Sequence, residues 1–165
     1  MIVVDANIIA YRFIEGDKTN FACRLQKKDG EWAVPLLWRH EFLNVLATVC
    51  KAGVIDISEA CGIWRAAIQV LAGFEHEVPH EKALCCAVNS RISAYDAQYI
   101  TLARALSCPC VTEDARLCKT FPGIAISMCD FFKYPVKNHS LQEYCPQNGP
   151  GLHYNRGRTV LPQPF

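Results

Sequence analysis

The 165-residue sequence has no uncharged apolar run of about 18 residues, so it predicts no membrane-spanning helix. The opening Met1-Ile2-Val3-Val4-Asp5 lacks a basic start and has too short an apolar run for a signal peptide. The expected location is therefore the cytoplasm. There is no basic excess: 17 Lys+Arg face 16 Asp+Glu, a formal net charge of +1. That excludes histone-like or tail-driven nucleic-acid binding and leaves room for an enzyme that holds nucleic acid through a few local contacts. No GxSxG, no Walker loop and no GxGxxG is present. No CxxC pair and no Cys/His set at zinc spacing occurs among the ten cysteines. A disulfide scaffold is not expected either, because several cysteines lie inside helix-like apolar patterns. Most read as small buried hydrophobes in a reduced cytoplasm.

What the chain does have is apolar mass. Hydrophobic residues make up 51% and charged residues 20%, enough for a packed core and not a disordered composition. Residues 1–134 read as one alternating α/β unit. Short strands are expected at Ile2-Val3-Val4, Trp32 to Leu36, Phe74 to Val78, Pro109-Cys110-Val111 and Ile124-Ala125-Ile126. Between them lie helical stretches from about Asn7 to Phe13, Thr19 to Lys28, Trp38 to Lys51, Ser58 to Ala72, Pro79 to Arg91, Ser93 to Leu106 and Ala115 to Thr120. The Trp38–Lys51 stretch sets Trp38, Phe42, Val45, Leu46 and Val49 on one face and stops at Gly53. Ser58 is the expected cap of the helix that follows it. Strands separated by helices imply a mostly parallel sheet with helices on both faces, a three-layer α/β/α fold.

Residues 135–165 differ. Pro135, Pro146, Pro150, Pro162 and Pro164 alternate with Gly149, Gly151 and Gly157, and no helix or strand period appears. Lys137, Arg156 and Arg158 against Glu143 give this segment +2, which leaves 14 bases and 15 acids, or −1, for residues 1–134. It reads as an irregular carboxyl-terminal extension of a single domain.

Four carboxylates stand out by position. Asp5 ends an apolar strand, where open α/β sheets bind ligands, although a strand-end Asp also caps a following helix. At about 100° per residue, Glu41 sits about 75° from the centre of its helix's apolar face, inside the stripe's margin. A carboxylate there needs a compensating positive charge; the competing reading pairs it with Arg39 or lets it reach water. Ser93-Ala94-Tyr95-Asp96 fits a capping box, yet Asp96 shares the face of Tyr99, Ile100 and Ala103, which should pack inward. Asp114 follows a strand in the turn Thr112-Glu113-Asp114 and also suits the N-cap of the next helix. Carboxylates converging at one place repel one another, and a hard divalent cation such as Mg²⁺ or Mn²⁺ relieves that repulsion through oxygen ligands.

Taken in order, these segments resemble the PIN-domain family. Val3-Val4-Asp5-Ala6-Asn7-Ile8-Ile9 resembles its opening. Pro35-Leu36-Leu37-Trp38-Arg39-His40-Glu41 resembles the segment of its second acid, Tyr95 to Ala103 its third-acid helix, and Val111-Thr112-Glu113-Asp114 the turn ending in its fourth acid. The compact form is similar to the VapC-type toxins of bacterial toxin–antitoxin pairs. The resemblance implies a Mg²⁺- or Mn²⁺-dependent endoribonuclease acting on RNA, a dimer, and inhibition by a small antitoxin protein. It implies an acidic site of Asp5, Glu41, Asp96 and Asp114, with Asp5, Asp96 and Asp114 as metal ligands and Asn7 and Thr112 in support. Arg12, His40, Arg116 and Lys119 stand near the acids in sequence and are secondary candidates for phosphate contacts.

Two other acid-bearing α/β readings fit poorly. A phospho-acceptor receiver domain needs an Asp ending the third strand, where Val78-Pro79 stands. An aspartyl phosphatase needs a second Asp two residues after the first, where Asn7 stands. The alternative that remains is a catalytically silent PIN-fold module that docks RNA or a protein partner.

Overall fold

Strand alternation decides the layers. In β1 (Ile2–Val4), successive side chains point to opposite faces of the sheet. Ile2 and Val4 enter one buried cluster and Val3 the other. In β2 (Trp32–Pro35) the same split sends Trp32 and Val34 one way and Ala33 the other. The structure, a computed structural model, describes residues 1–133. The expected extension over residues 135–165, and Cys145 within it, lies outside the described residues.

The sheet has five strands in the order β3-β2-β1-β4-β5, with β3 at Glu75–His76, β4 at Cys110–Val111 and β5 at Ala125–Ile126. Every pairing is parallel, with Val3 opposite Ala33 on one side and Cys110 on the other. One face is covered by α1 (Ala6–Phe13), α2 (Thr19–Lys28), α3 (Trp38–Lys51), α4 (Ile57–Leu71) and α8 (Met128–Lys133). The other is covered by α5 (His80–Ser90), α6 (Ala94–Leu106) and α7 (Ala115–Thr120). This is the expected three-layer α/β/α architecture. β1, β2 and β4 are buried along their whole length, which is why they read as continuous apolar runs, whereas β3 at the sheet's edge is the half-buried pair Glu75–His76.

The helices stop where their chemistry requires. After α3, Gly53 takes φ +72°, a conformation that costs glycine little, and the Val54 amide reaches back to the Val49 carbonyl at 3.2 Å. The next helix is capped by Asp56, whose carboxylate accepts from the Glu59 amide at 2.8 Å, rather than by Ser58. Trp64 of α4 stacks on Trp38 and Phe42 of α3 with ring centroids 5.8 and 6.3 Å away. Aromatic pairs of this kind add about 0.5–1.5 kcal/mol beyond burial. Ile63 is likewise half-buried against the core, whereas Leu43 stays 47% exposed.

The cysteines divide more evenly than their sequence context suggests. Cys86, Cys108 and Cys110 are buried, Cys23, Cys50 and Cys118 half-buried, and Cys61, Cys85 and Cys129 exposed; all nine are free thiols. Several lie on helices, where periodicity does not fix which face each one takes, whereas Cys110 lies in β4.

Candidate active site

Because the sheet is parallel, the ends of β1 and β4 lie side by side on one edge. The chain runs from β1 to β2 on one flank, while β4 and β5 occupy the other. The carboxyl ends of β1 and β4 therefore stand at the point where strand order reverses, the usual ligand position in such sheets. Asp5 follows β1 directly. Its amide donates to the Val111 carbonyl at 3.0 Å, which pins it to β4.

Asp5 occupies the N-cap position of α1, yet its side chain makes no cap hydrogen bond. Its Oδ2 instead accepts from Thr112 Oγ1 at 2.6 Å and from Asn7 Nδ2 at 2.7 Å. Asn7 Nδ2 also reaches Thr112 Oγ1 at 3.0 Å, and the Asp114 amide donates to the same hydroxyl at 3.0 Å. Thr112 is fully buried, and its hydroxyl uses its one donor and both acceptor positions. The capping alternative thus fails for Asp5, whose carboxylate is held instead by Asn7 and Thr112.

Glu41 lies in the first turn of α3, where the helix dipole favours a carboxylate. It does not pair with Arg39. That guanidinium grips Glu75 instead, with Nε and Nη2 at 2.6 and 2.8 Å from the two carboxylate oxygens. Glu41 Oε2 accepts from the Tyr99 hydroxyl at 2.5 Å. Burial and the Glu41 charge push Tyr99 well above its ordinary pKa, so it remains a donor.

Asp96 keeps half of its expected capping box. Its amide donates to Ser93 Oγ at 2.9 Å, while its half-buried carboxylate makes no return bond to Ser93 among the described contacts. Asp114 does cap: its Oδ1 accepts from the Arg116 and Leu117 amides at 2.7 and 3.1 Å. Its two readings are compatible, because those bonds engage a single oxygen.

Asp5 and Glu41 feel the neighbouring acids. Burial chiefly raises the Asp5 pKa, and the charges of Asp96 and Asp114 raise it further against the hydrogen bonds of Thr112 and Ala6. Burial also raises Glu41, with Asp5 and Asp96 adding to it and the Tyr99 bond opposing it. Neither carboxylate forms an ion pair among the described residues. The oxygen donors and the uncompensated negative charge fit a hard divalent ion. The fit is of chemistry rather than of finished geometry: among the described residues no three His, Cys, Asp or Glu side chains stand gathered as ready-made ligands.

The basic candidates are mostly engaged elsewhere. Arg12 Nε donates to Gln26 Oε1 at 2.6 Å, and Arg116 Nη2 donates to the Arg91 carbonyl. His40 and Lys119 are exposed. Sequence reasoning missed Glu113, whose carboxylate joins Lys18 Nζ at 2.6 Å to the Met128 amide at 3.1 Å and so braces the turn that carries Asp114. It also missed the partnership of Tyr99 with Glu41.

A family model described as the PIN domain matches residues 2–121, a span containing every one of these acids. The chain belongs to the PIN-domain family. PIN domains are generally nucleases that bind nucleic acid and use divalent metal ions. The crystal structure of PAE2754 from Pyrobaculum aerophilum superposes on this PIN domain with a TM-score of 0.64 and 24% sequence identity. The match covers 80% of this chain and 93% of that one, a likeness of fold. No curated protein matches the sequence significantly. No helix among the described residues is long and apolar enough to cross a membrane.

Proposed function

We propose that this PIN domain is a Mg²⁺- or Mn²⁺-dependent endoribonuclease that hydrolyses RNA phosphodiester bonds in the cytoplasm. We assign it the role of toxin in a toxin–antitoxin pair. One observation carries the catalytic reading. A buried carboxylate, Asp5, is held by Asn7 and Thr112 and surrounded by the negative charge of Asp96 and Asp114, with no cationic partner among the described residues. A fold does not retain that arrangement for stability, since each neighbouring acid makes ionisation of the others harder.

Asp5, Asp96 and Asp114 would hold the ion. When bound, it neutralises charge on the phosphate and lowers the pKa of water. The chain's own residues do the rest. Asn7 and Thr112 fix the Asp5 carboxylate through one oxygen. Glu41, whose affinity for protons is raised, orients the attacking water and takes its proton as the water oxygen bonds to phosphorus. The phosphorus–oxygen bond to the leaving nucleotide breaks, and the leaving oxygen gains a proton from solvent.

Cleavage of single-stranded RNA with and without Mn²⁺, for the wild type and Asp5→Asn, tests this reading. Metal-dependent cleavage lost in the variant supports it. RNA retained intact by both proteins, with or without metal, instead identifies a silent binding module.

Exposed apolar side chains support an association surface. Leu43 on α3, Val54 in the turn and Ile57 at the start of α4 are 47%, 68% and 74% exposed. Apolar groups left outside a core commonly mark interfaces. We assign these helices to a homodimer, with the antitoxin as the heterologous partner of the toxin. Sedimentation of the purified chain as a monomer removes the homodimer.

A further inference from the structure

Tyr99 stands 1% exposed on α6, three residues after Asp96 and hence on the same side of that helix. Its hydroxyl donates to Glu41 Oε2 across 58 positions of sequence and so ties α6 to α3, the two helices that carry the second and third acids. Packing does not explain the hydroxyl. A phenylalanine ring would fill the same place in the core formed by Val3, Ala33 and Ile100, without the cost of burying an oxygen.

The partner explains it. A hydrogen bond to the ionised form favours the carboxylate where burial and the Asp5 and Asp96 charges oppose it. One oxygen held at 2.5 Å also fixes the plane of the carboxylate, and with it the direction of Oε1. A free glutamate on a helix margin has several rotamers, whereas this one is tied at its tip.

We propose that Tyr99 is a positioning residue of the hydrolytic site, which holds the Glu41 carboxylate in its working orientation through Oε2. This rests on the nuclease reading above. Tyr99 touches neither substrate nor ion; it acts through Glu41.

The test compares wild type, Tyr99→Phe, Glu41→Ala and the double variant. Three quantities are measured: urea unfolding, Mn²⁺ binding by calorimetry without RNA, and kcat and KM for RNA cleavage at saturating Mn²⁺. Tyr99→Phe is expected to fold and to bind Mn²⁺ as tightly as wild type, because Glu41 is not among the residues that would hold the ion. Its kcat should fall on the order of tenfold or more, the scale of a lost hydrogen bond to a charged group, with KM unchanged. In the Glu41→Ala background Tyr99→Phe should add no further loss, since the group it positions is gone.

A wild-type kcat in Tyr99→Phe overturns the inference and leaves the nuclease reading standing. A full, additive loss on top of Glu41→Ala overturns it too. A Tyr99→Phe chain that does not fold assigns the hydroxyl to stability and removes the positioning role. Wild-type protein that neither binds Mn²⁺ nor cuts RNA overturns the nuclease reading and this inference together.

Discussion

Asn7 and Thr112, 105 positions apart, are joined by a 3.0 Å hydrogen bond and both donate to the same oxygen of Asp5. The arrangement makes Thr112 the keystone of the β4 edge, since its hydroxyl also receives the Asp114 amide. Thr112→Val keeps the side chain's shape and leaves those groups without their partner. Unfolding in urea should show a loss of about 1–3 kcal/mol, the usual penalty for stranding buried polar groups. Thr112→Ser retains the hydroxyl and should recover most of it. Equal stability of Thr112→Val and wild type argues against the network.

Asp5→Asn separates fold from chemistry in the opposite sense. It keeps size and an oxygen acceptor for Thr112, but removes a charge that burial and two neighbouring acids disfavour. Stability should hold or rise, while metal-dependent RNA cleavage should fall by orders of magnitude. An Asp5→Asn protein that unfolds readily and still cuts RNA identifies Asp5 as a structural residue.

The same shifts set a pH dependence. Asp5 and Glu41 titrate above their ordinary values, so the folded metal-free protein keeps protons that the unfolded chain releases. Their contribution to stability is full below the ordinary carboxylate pKa of about 4 and is lost as pH rises through the raised values. Glu75 runs the other way, because the Arg39 bond lowers its pKa, but it is common to wild type and variant and cancels between them. Melting temperature should therefore fall less with rising pH in Asp5→Asn than in wild type. Added Mn²⁺, which binds ionised carboxylates, should stabilise wild type increasingly over the same window. Identical pH profiles for the two proteins, indifferent to millimolar Mn²⁺, count against the acidic site.

The layers of the fold were legible because a parallel sheet buried on both faces leaves short β-branched and aromatic runs between amphipathic helices, as at Ile2–Val4 and Trp32–Pro35. The supporting roles of Asn7 and Thr112 came only with the family resemblance. Their hydrogen bonds needed the register of β1 beside β4, which no local pattern contains. Other pairings were hidden for a related reason. Lys18 with Glu113, Arg39 with Glu75 and Tyr99 with Glu41 join distant segments, and a polar residue does not declare which distant partner it will meet. The six-residue α8 is too short to show a helical period, whereas the equally short α7 is marked by the N-cap candidate Asp114 before it. The split of the helical cysteines between core and surface depended on helix rotation, which sequence periodicity fixes only approximately.

Asp114 caps α7 and, in the function proposed above, also serves the acidic site; one substitution distinguishes the roles. Asparagine is as good an N-cap as aspartate, so Asp114→Asn should keep the bonds to the Arg116 and Leu117 amides and the stability of α7. It removes the charge that Asp5 feels. Cleavage should fall with little change in unfolding free energy, whereas Asp114→Ala should lose both. Full cleavage by Asp114→Asn confines the residue to capping.

In the proposed site Ser93 and Asp96 divide the same two duties, which makes them the sharper test. The serine hydroxyl caps α6 by accepting from the Asp96 amide, a bond that Asp96→Ala leaves intact because it uses the backbone. Ser93→Ala should therefore cost about 0.5–2 kcal/mol of stability, the worth of an N-cap, with cleavage kept in the folded fraction. Asp96→Ala should do the reverse. It relieves the repulsion that its carboxylate exerts on Asp5 and Glu41, and leaves stability nearly unchanged or slightly higher. Its RNA cleavage and its stabilisation by Mn²⁺ should drop together, because one ligand charge is missing. Urea unfolding and RNA cleavage measured on both variants decide the matter. If Asp96→Ala is the one that loses stability and keeps metal-dependent cleavage, the carboxylate belongs to the capping box and the site is built from the other three acids.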